Sequence, residues 1–205
     1  MGLGASRQTR RMNIAVIGTA GRNQDGIKIG KKKYVIALAL LKKQFDDLKE
    51  CTLVSGGAAV ADHCAVVTYL FKGCAGLILH LPCEWDRERK QFFDTGERDW
   101  RTNPGGTSNK YHRDFSRILG VPENYSLNQI DQTIDKGAVI NCGGGFFERN
   151  SEVAKDADRL FAMTFGKEGR VADGGTRDTF EKYIKLGKKD AFHLDLNTMQ
   201  VYTAV

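Results

Sequence analysis

Glycine residues that directly follow short apolar runs are the part of this sequence best suited to binding chemistry. The run Cys51–Ser55 ends in Gly56 and Gly57, and small and apolar residues at helical spacing follow as far as Asp62. This pattern predicts a buried strand, a tight turn and the start of a helix. Such a turn presents backbone amides at the positive end of a helix, which favours a phosphate group. A plain glycine turn would show the same pattern, so both interpretations stay open for this stretch.

The same kind of turn recurs along the chain. The apolar run Asn13–Ile17 ends at Gly18–Arg22, Gly143–Gly145 precedes a helical pattern, and Gly174–Gly175 opens another. Backbone amides and short hydroxyl side chains in these turns offer hydrogen-bond donors to phosphate and ribose. The resulting candidate ligand contacts are Gly18, Thr19, Arg22, Ser55, Gly56, Gly57, Gly174, Gly175 and Thr176.

Larger polar and aromatic side chains beside these turns extend the candidate site. Arg149 stands close to a glycine-led helix start, where its guanidinium group could hold a phosphate. Asn150 is a second candidate contact, or a helix N-cap that needs no ligand. Asp62 could bond a ribose hydroxyl or tie down a loop amide. Trp85 follows a strand end, where its ring could stack on a base or pack in the wall of the site.

The elements between the turns must bring these residues together. Apolar runs predict buried strands near residues 13–17, 51–55, 75–81, 159–164 and 191–195. Helical patterns alternate with these runs, which indicates an α/β fold with a parallel sheet covered by helices on both faces. Ligands of such sheets bind at the carboxyl ends of the strands, so the glycine turns should converge there. Residues 86–145, after the third strand, are expected to form an insertion beside this cleft, with Trp85 and Tyr111 nearest to it.

Composition and charge indicate which class of protein this sequence encodes. The 205 residues are 41% hydrophobic and 27% charged, which is typical of a soluble globular protein. We expect a flexible basic tail over residues 1–12, a single domain over 13–205, and no membrane span, because no apolar run approaches about 20 residues. The five cysteines include no CxxC pair, so we expect reduced thiols in the cytoplasm and neither a metal site nor a cofactor. The net charge of +6 favours phosphorylated or polyanionic partners.

An ordered set of short motifs resembles the SLOG superfamily, which is named after the DNA-processing protein A and LOG families, and its YspA/YpsA-related branch most of all. The motifs are Ser55–Ala58 with Asp62, Pro82–Trp85, Arg149–Asn150, Ala157–Asp158, and Gly174–Thr176 with Thr179. Their order and spacing agree over most of residues 13–196, apart from the insertion. Val60 departs from the pattern, which usually has a glycine at that position.

The resemblance implies a Rossmann-like doubly wound sheet whose glycine loops bind a nucleotide or a nucleotide-derived small molecule, and it implies a homodimer. It adds Thr179 to the candidate ligand contacts. It also implies two catalytic residues, Arg149 and Glu181, by similarity to the phosphoribohydrolase motif PGGxGTxxE. Glu181 takes the place of the motif's glutamate only when the two glycines of the motif are aligned with Gly174–Gly175. Alternatively, Glu181 is an exposed helix carboxylate that pairs with Lys185.

Three functions are compatible with these residues. The first is metal-independent hydrolysis of an N-glycosidic bond of a nucleoside monophosphate, in which a carboxylate stabilises the cationic sugar. The second is a non-catalytic protein that senses or sequesters an ADP-ribose-like signal nucleotide. The third, a single-stranded nucleic-acid binder, is less favoured, because only Lys110–Arg113 interleaves basic and aromatic residues.

Overall fold

The computed structural model describes residues 11–172 and 174–204. The predicted tail over residues 1–12 therefore lies outside the described residues, except for its last two. The described strands are β1 (Asn13–Gly18), β2 (Thr52–Ser55), β3 (Gly76–Leu81), β4 (Trp85–Asp86), β5 (Gln91–Phe92), β6 (Val139–Cys142), β7 (Arg159–Thr164), β8 (Ala191–Asp195) and β9 (Gln200–Thr203). Seven of them form one sheet in the order β6-β3-β2-β1-β7-β8-β9, and β4 pairs with β5 in a separate hairpin.

The sheet has the parallel architecture that the sequence predicts. Every pairing in it is parallel except the one between β8 and the edge strand β9. The chain builds outward from β1 through β2 and β3, and later crosses to the other side of β1 to form β7. The direction of winding therefore reverses between β1 and β7. Ligands of doubly wound sheets bind outside the carboxyl ends of the strands at such a reversal.

Helices cover both faces of the sheet. The described α-helices are α1 (Asp25–Gln44, broken at Gly30), α2 (His63–Leu70), α3 (Pro104–Leu119), α4 (Tyr125–Asp135), α5 (Phe146–Asp156) and α6 (Gly175–Lys185). Alternate residues of β1 show the two layers, since Ile14 and Val16 pack in the core with α1 to α4, and Ala15 and Ile17 pack with α5 and α6. The doubly wound prediction is confirmed, and it is the Rossmann-like fold that the SLOG resemblance implies. None of these helices combines the length and hydrophobicity needed to cross a membrane.

The segment after β3 differs from the predicted insertion at its C-terminal end. Val139–Cys142 forms strand β6 of the main sheet, where Val139 and Ile140 align with Ile78 and Leu79 of β3. This stretch is therefore part of the main sheet and not of the segment beside the cleft. The part that lies outside the sheet consists of the β4–β5 hairpin, a loop, α3 and α4, and it ends before Val139. Helix α3 packs on α1, and α4 packs on α2.

Candidate functional site

The predicted turns converge on a cavity of about 360 Å³ at the carboxyl ends of the central strands. This volume is within the range of small-molecule sites. The loops after β1 and β2, the first turns of α5 and α6, and the segment that contains α3 enclose it. The sequence-predicted residues that line the cavity are Gly18, Arg22, Gly56, Asp62, Arg149, Asn150, Gly175, Thr176 and Thr179.

At two glycines of the cavity surface, a neighbouring group occupies the space that a side chain would need. A Cβ atom on Gly18 would lie 2.2 Å from the carbonyl oxygen of Met163, and one on Gly56 would lie 2.8 Å from Arg149 Nε. Both distances are shorter than van der Waals contact. The group at Gly18 is backbone, so that position requires glycine, whereas a side chain at Gly56 would displace Arg149 from the turn. The close approach at Gly56 places the Arg149 side chain directly against the backbone of the turn.

Asp62 joins the turns after β1 and β2. Its carboxylate is buried and accepts hydrogen bonds from the backbone N–H groups of Gly18 and Gly56, each at 3.0 Å, and from Ser55 Oγ at 3.3 Å. Burial raises the pKa of Asp62, although the nearby Arg149 charge and the hydrogen-bond donors act in the opposite direction. Of the two roles open from the sequence, the structure shows the one that ties down loop amides.

The guanidinium group of Arg149 places a positive charge in the cavity wall. Its Nε and Nη2 atoms donate to Asn150 Oδ1 at 3.3 and 2.9 Å, and Nη1 donates to the Gly56 carbonyl oxygen at 3.4 Å. Its Cζ atom lies 5.2 Å from the centroid of the Phe146 ring. Burial lowers the pKa of Arg149, and the charge of Asp62 opposes this shift. The direct partners are neutral oxygens, so the charge can attract an anionic ligand.

Asn150 positions Arg149 from within helix α5. Its amide nitrogen donates to the Gly175 carbonyl oxygen at 3.2 Å and to Asp178 Oδ2 at 3.0 Å, which links α5 to the start of α6. The interpretation of Asn150 as a helix N-cap is wrong. Gly145 has a φ of +95°, a conformation that suits glycine, and the helix begins directly after it.

A second arginine stands at the start of α6. Gly174 has a φ of +111°, and a Cβ atom there would lie 2.9 Å from Arg22 Nη2. The Arg22 side chain is exposed, and its guanidinium group has no hydrogen-bond or ion-pair partner among the residues that the structure describes. Gly175 and Thr176, the first residues of α6, line the cavity beside it. Two guanidinium groups and a helix N-terminus therefore meet at the cavity.

Four predicted contacts support the turns without lining the cavity, namely Thr19, Ser55, Gly57 and Gly174. The Thr19 hydroxyl donates to Asp25 Oδ2 at 2.9 Å. The Ser55 hydroxyl accepts from the Gly57 N–H at 3.3 Å, and the Gly57 carbonyl oxygen bonds His112 Nε2 at 3.0 Å. These residues fix the shape of the turns.

Glu181 and Trp85 also lie outside the cavity lining. The Glu181 side chain is half-exposed on α6, where its carboxylate accepts from Arg177 Nε at 2.9 Å instead of pairing with Lys185. The structure therefore separates it from Arg149, its predicted catalytic partner. Trp85 packs on Phe92 with ring centroids 5.1 Å apart, and its Nε1 donates to Asp131 Oδ1 at 3.2 Å. Trp85 therefore packs within the segment after β3 and not in the wall of the cavity, so neither role predicted for it at the site is seen.

The segment after β3 contributes to the cavity, as the sequence predicts. Tyr111 lines it, together with Trp100, Thr107, Ser108 and Lys110. Sequence reasoning missed three aromatic residues, Trp100, Phe146 and Phe147. The two phenylalanines directly follow the third glycine turn and precede Arg149, a position that could have revealed them. Trp100 stands in a polar loop without periodicity, which carried no such signal.

The residues described contain no cluster of three His, Cys, Asp or Glu side chains that could hold a metal ion. The cavity instead offers guanidinium groups, backbone N–H groups, hydroxyls and aromatic rings. This set of groups suits an anionic ligand with a planar ring system.

Comparison with known proteins gives one sequence relative. No protein-family model matches the chain. The chain is 35% identical over 193 residues to the uncharacterized protein R261 of Acanthamoeba polyphaga mimivirus, and the alignment covers 91% of this chain and 98% of the relative. The chain belongs to the R261 family.

Two solved structures are similar to this member of the R261 family. One is TM1055, with a TM-score of 0.44 and 14% identity, covering 86% of this chain and 71% of that chain. The other is DNA processing protein A (DprA) from Streptococcus pneumoniae, with a TM-score of 0.42 and 15% identity, covering 89% of this chain. The chain spans 50% of the length of DprA.

Proposed function

We propose that this protein binds a nucleotide or a nucleotide-derived small molecule and holds its phosphate between Arg149 and Arg22 at the N-terminus of α6. The observation that supports this most strongly is the Arg149 guanidinium group, which lines the cavity and forms no ion pair with a described carboxylate. A partly buried cation is stabilised by a charged partner, and a phosphate can accept two parallel hydrogen bonds from one guanidinium group. The first N–H groups of α6 add donors for the same anion.

The proposed function is binding without cleavage, as in a sensor or a sequestering protein for an ADP-ribose-like signal. Hydrolysis of an N-glycosidic bond requires a carboxylate that can face the cationic sugar or activate water. Glu181 is directed to Arg177 outside the cavity. Asp62 is the carboxylate that lines the cavity among the described residues, and it already accepts hydrogen bonds from two turns. The arrangement favours the second function predicted from the sequence.

The nucleic-acid alternative gains no support from the one basic and aromatic segment. Lys110 and Tyr111 face the cavity, whereas His112 is buried and bonds Gly57. Arg113 donates to Gln91 Oε1 at 2.8 Å. The four side chains therefore point to different surroundings and do not form the continuous stacking strip that a single strand needs.

Titration calorimetry with AMP, ADP-ribose and ribose 5-phosphate tests the phosphate site. We expect Arg149→Ala to weaken binding of the phosphate-containing probes by about 1.5–3 kcal/mol, the usual contribution of a charged hydrogen bond. Arg89→Ala is the matched control, since it removes the same charge from a side chain that is 73% exposed and pairs with Asp86. The control should bind as the wild type does. Equal affinity in Arg149→Ala and the wild type, or no binding of any probe at millimolar concentration, would contradict the proposal.

Chromatographic detection of released adenine tests whether the protein cleaves its ligand. We expect no adenine from AMP in the wild type, and Glu181→Ala should bind the three probes with unchanged affinity, because an exposed ion pair contributes little. Release of adenine that is abolished in Glu181→Ala would instead support the N-glycosidase.

A further inference from the structure

We infer that Trp100, Phe146 and Phe147 form a subsite for the planar base of the bound nucleotide. We call these three side chains the aromatic wall. All three line the main cavity, and the centroid of the Trp100 ring lies 5.9 Å from that of Phe146 and 6.1 Å from that of Phe147. The inference rests on the proposed function, because it places the base relative to the phosphate at Arg149.

The order of groups along the cavity matches the order of groups in a nucleotide. Arg149 lies beside Phe146, with its Cζ atom 5.2 Å from the ring centroid, and Phe146 contacts Trp100 in turn. The aromatic wall therefore adjoins the phosphate site through Phe146 and continues from Phe146 to Trp100. A ligand with phosphate at one end and a flat ring at the other can contact both parts at once.

Part of the aromatic wall is exposed, so its rings have surface that a ligand can contact. Phe147 is 61% exposed, although aromatic rings usually bury most of their area, and Trp100 is 37% exposed. A second, smaller cavity of about 170 Å³ shares Trp100, Phe146 and Phe147 with the main one and is completed by Arg101 and Gly144–Gly145. The wall thus has open space beside it in two cavities, which gives a base room to pack against it.

The loop that carries Trp100 is held in place before any ligand binds. The buried side chain of Asn103 donates to Asp94 Oδ1 at 2.7 Å and to the Glu97 carbonyl oxygen at 2.8 Å. The Arg101 guanidinium group lies 4.4 Å from the Trp100 ring centroid. A ring fixed in this way can stack on a base without a further loss of loop entropy on binding. Stacking needs only a flat ring, so the subsite should accept different bases. Purines should bind more tightly than pyrimidines, because their rings have a larger area to stack.

Comparison of AMP with ribose 5-phosphate, which lacks the base, tests the subsite by calorimetry. We expect the wild type to bind AMP about 5- to 150-fold more tightly than ribose 5-phosphate, the range for stacking of one base. Trp100→Ala should remove most of this difference and leave the affinity for ribose 5-phosphate unchanged, whereas Trp100→Phe should retain part of it. Phe93→Ala is the matched control, because Phe93 is a 51% exposed aromatic residue of the same segment outside the cavity lining.

Tryptophan fluorescence gives a second readout, since Trp85 and Trp100 are the two tryptophans of the chain. In Trp85→Phe the remaining Trp100 should be quenched by AMP and not by ribose 5-phosphate. In Trp100→Phe the signal from Trp85, which packs on Phe92 away from the cavity, should stay constant.

The outcomes separate this inference from the proposed function. If Arg149→Ala weakens both probes while Trp100→Ala binds AMP as the wild type does, the base subsite is overturned and the phosphate site stands. If Arg149→Ala changes neither affinity, the proposed function fails, whatever Trp100→Ala does. Loss of AMP affinity in Phe93→Ala as large as in Trp100→Ala would also overturn the subsite, because the effect would then come from the loop as a whole.

Discussion

Val60 adopts a backbone conformation that β-branched residues rarely take. Its φ is +63°, in the left-handed region, its side chain is buried, and along the chain it lies between the turn at Gly56–Gly57 and helix α2. SLOG motifs usually have glycine at this position, and glycine adopts a positive φ without strain. The chain therefore combines a buried apolar side chain with local backbone strain of about 1–3 kcal/mol beside the candidate site.

Replacement of Val60 separates the strain from the packing. Val60→Ala loses most of the buried side chain and keeps the unfavourable φ, whereas Val60→Gly also relieves the φ. We expect the glycine variant to be more stable than the alanine variant by about 1 kcal/mol, from the penalty of the left-handed conformation. Urea unfolding measures the free energy of unfolding of the two variants. At the control position Val66, which is buried in regular helix α2, the order should reverse by about 1 kcal/mol. The same order at both positions would contradict the strain at Val60.

Single residues show where sequence-based prediction of the site succeeds and where it ends. Gly18 and Gly56 could be predicted because the residue type itself reports a close backbone approach. The direction of a side chain on a helix cannot be obtained in this way, so Glu181 was assigned to the site although it pairs with Arg177 outside it. Trp100 carried no signal at all, because tertiary packing of an irregular loop places it in the cavity.

At the scale of elements, the central strands could be predicted because each is a continuous apolar run bounded by glycine or polar residues. The residues at which the helices and strands begin and end were harder to predict from the sequence. Helix α5 begins at Phe146, ahead of Asn150, the N-cap alternative from the sequence, because the conformation of Gly145 permits it. Strand β6 was assigned to the insertion, because the hydrophobicity of a short edge strand does not show which sheet it joins.

The N-terminus of α3 and the loop before it depend on one side chain. Asn103 Oδ1 accepts from the Gly106 N–H at 2.9 Å, which caps the helix, and from the Thr95 N–H at 3.2 Å. We expect Asn103→Ala to lower the free energy of unfolding by about 1–2 kcal/mol through loss of the cap. Because the same side chain holds the loop that carries Trp100, the variant should also bind AMP more weakly than the wild type.

Asn103→Asp is the control for this prediction. An aspartate can accept the hydrogen bonds from Gly106 and Thr95, but it cannot donate to Asp94 or the Glu97 carbonyl oxygen. It should therefore keep the helix cap and still disturb the loop. Urea unfolding with full stability in Asn103→Ala would show that the cap contributes nothing.

At the scale of the whole molecule, buried polar contacts join the segment after β3 to the main sheet. His112 of α3 bonds the Gly57 carbonyl oxygen at 3.0 Å and Ser126 Oγ of α4 at 3.1 Å. His63 of α2 bonds Gln129 Oε1 of α4 at 2.8 Å. His112 therefore attaches the segment after β3 to the glycine turn, and His63 attaches it to helix α2. The homodimer and the cytoplasmic location that the sequence suggests stay predictions.

These two histidines should make the fold sensitive to acid. Burial lowers the pKa of His63 to about 4 and that of His112 to about 3, and the proximity of the two rings adds to the shift of His112. Since both pKa values lie below the unfolded value of about 6.5, the unfolded chain binds protons first as the pH falls. Stability is therefore complete above about pH 6.5 and decreases toward pH 4, by up to about 1.4 kcal/mol per pH unit for each histidine. The raised pKa of Asp62 acts in the opposite direction and offsets part of this loss.

His112→Asn isolates one of the two contributions. Its amide lies where the imidazole Nδ1 was and can bond Ser126, but it is too short to replace the Nε2 bond to the Gly57 carbonyl oxygen, and it does not titrate. We expect the variant to be less stable than the wild type at pH 7, because the smaller side chain leaves space in a fully buried position. Its free energy of unfolding should fall less steeply between pH 6.5 and 4, so the difference between the two proteins narrows with acid. Urea unfolding at pH 7.0, 5.5 and 4.5 measures both slopes, and parallel slopes would show that His112 takes up no proton on unfolding.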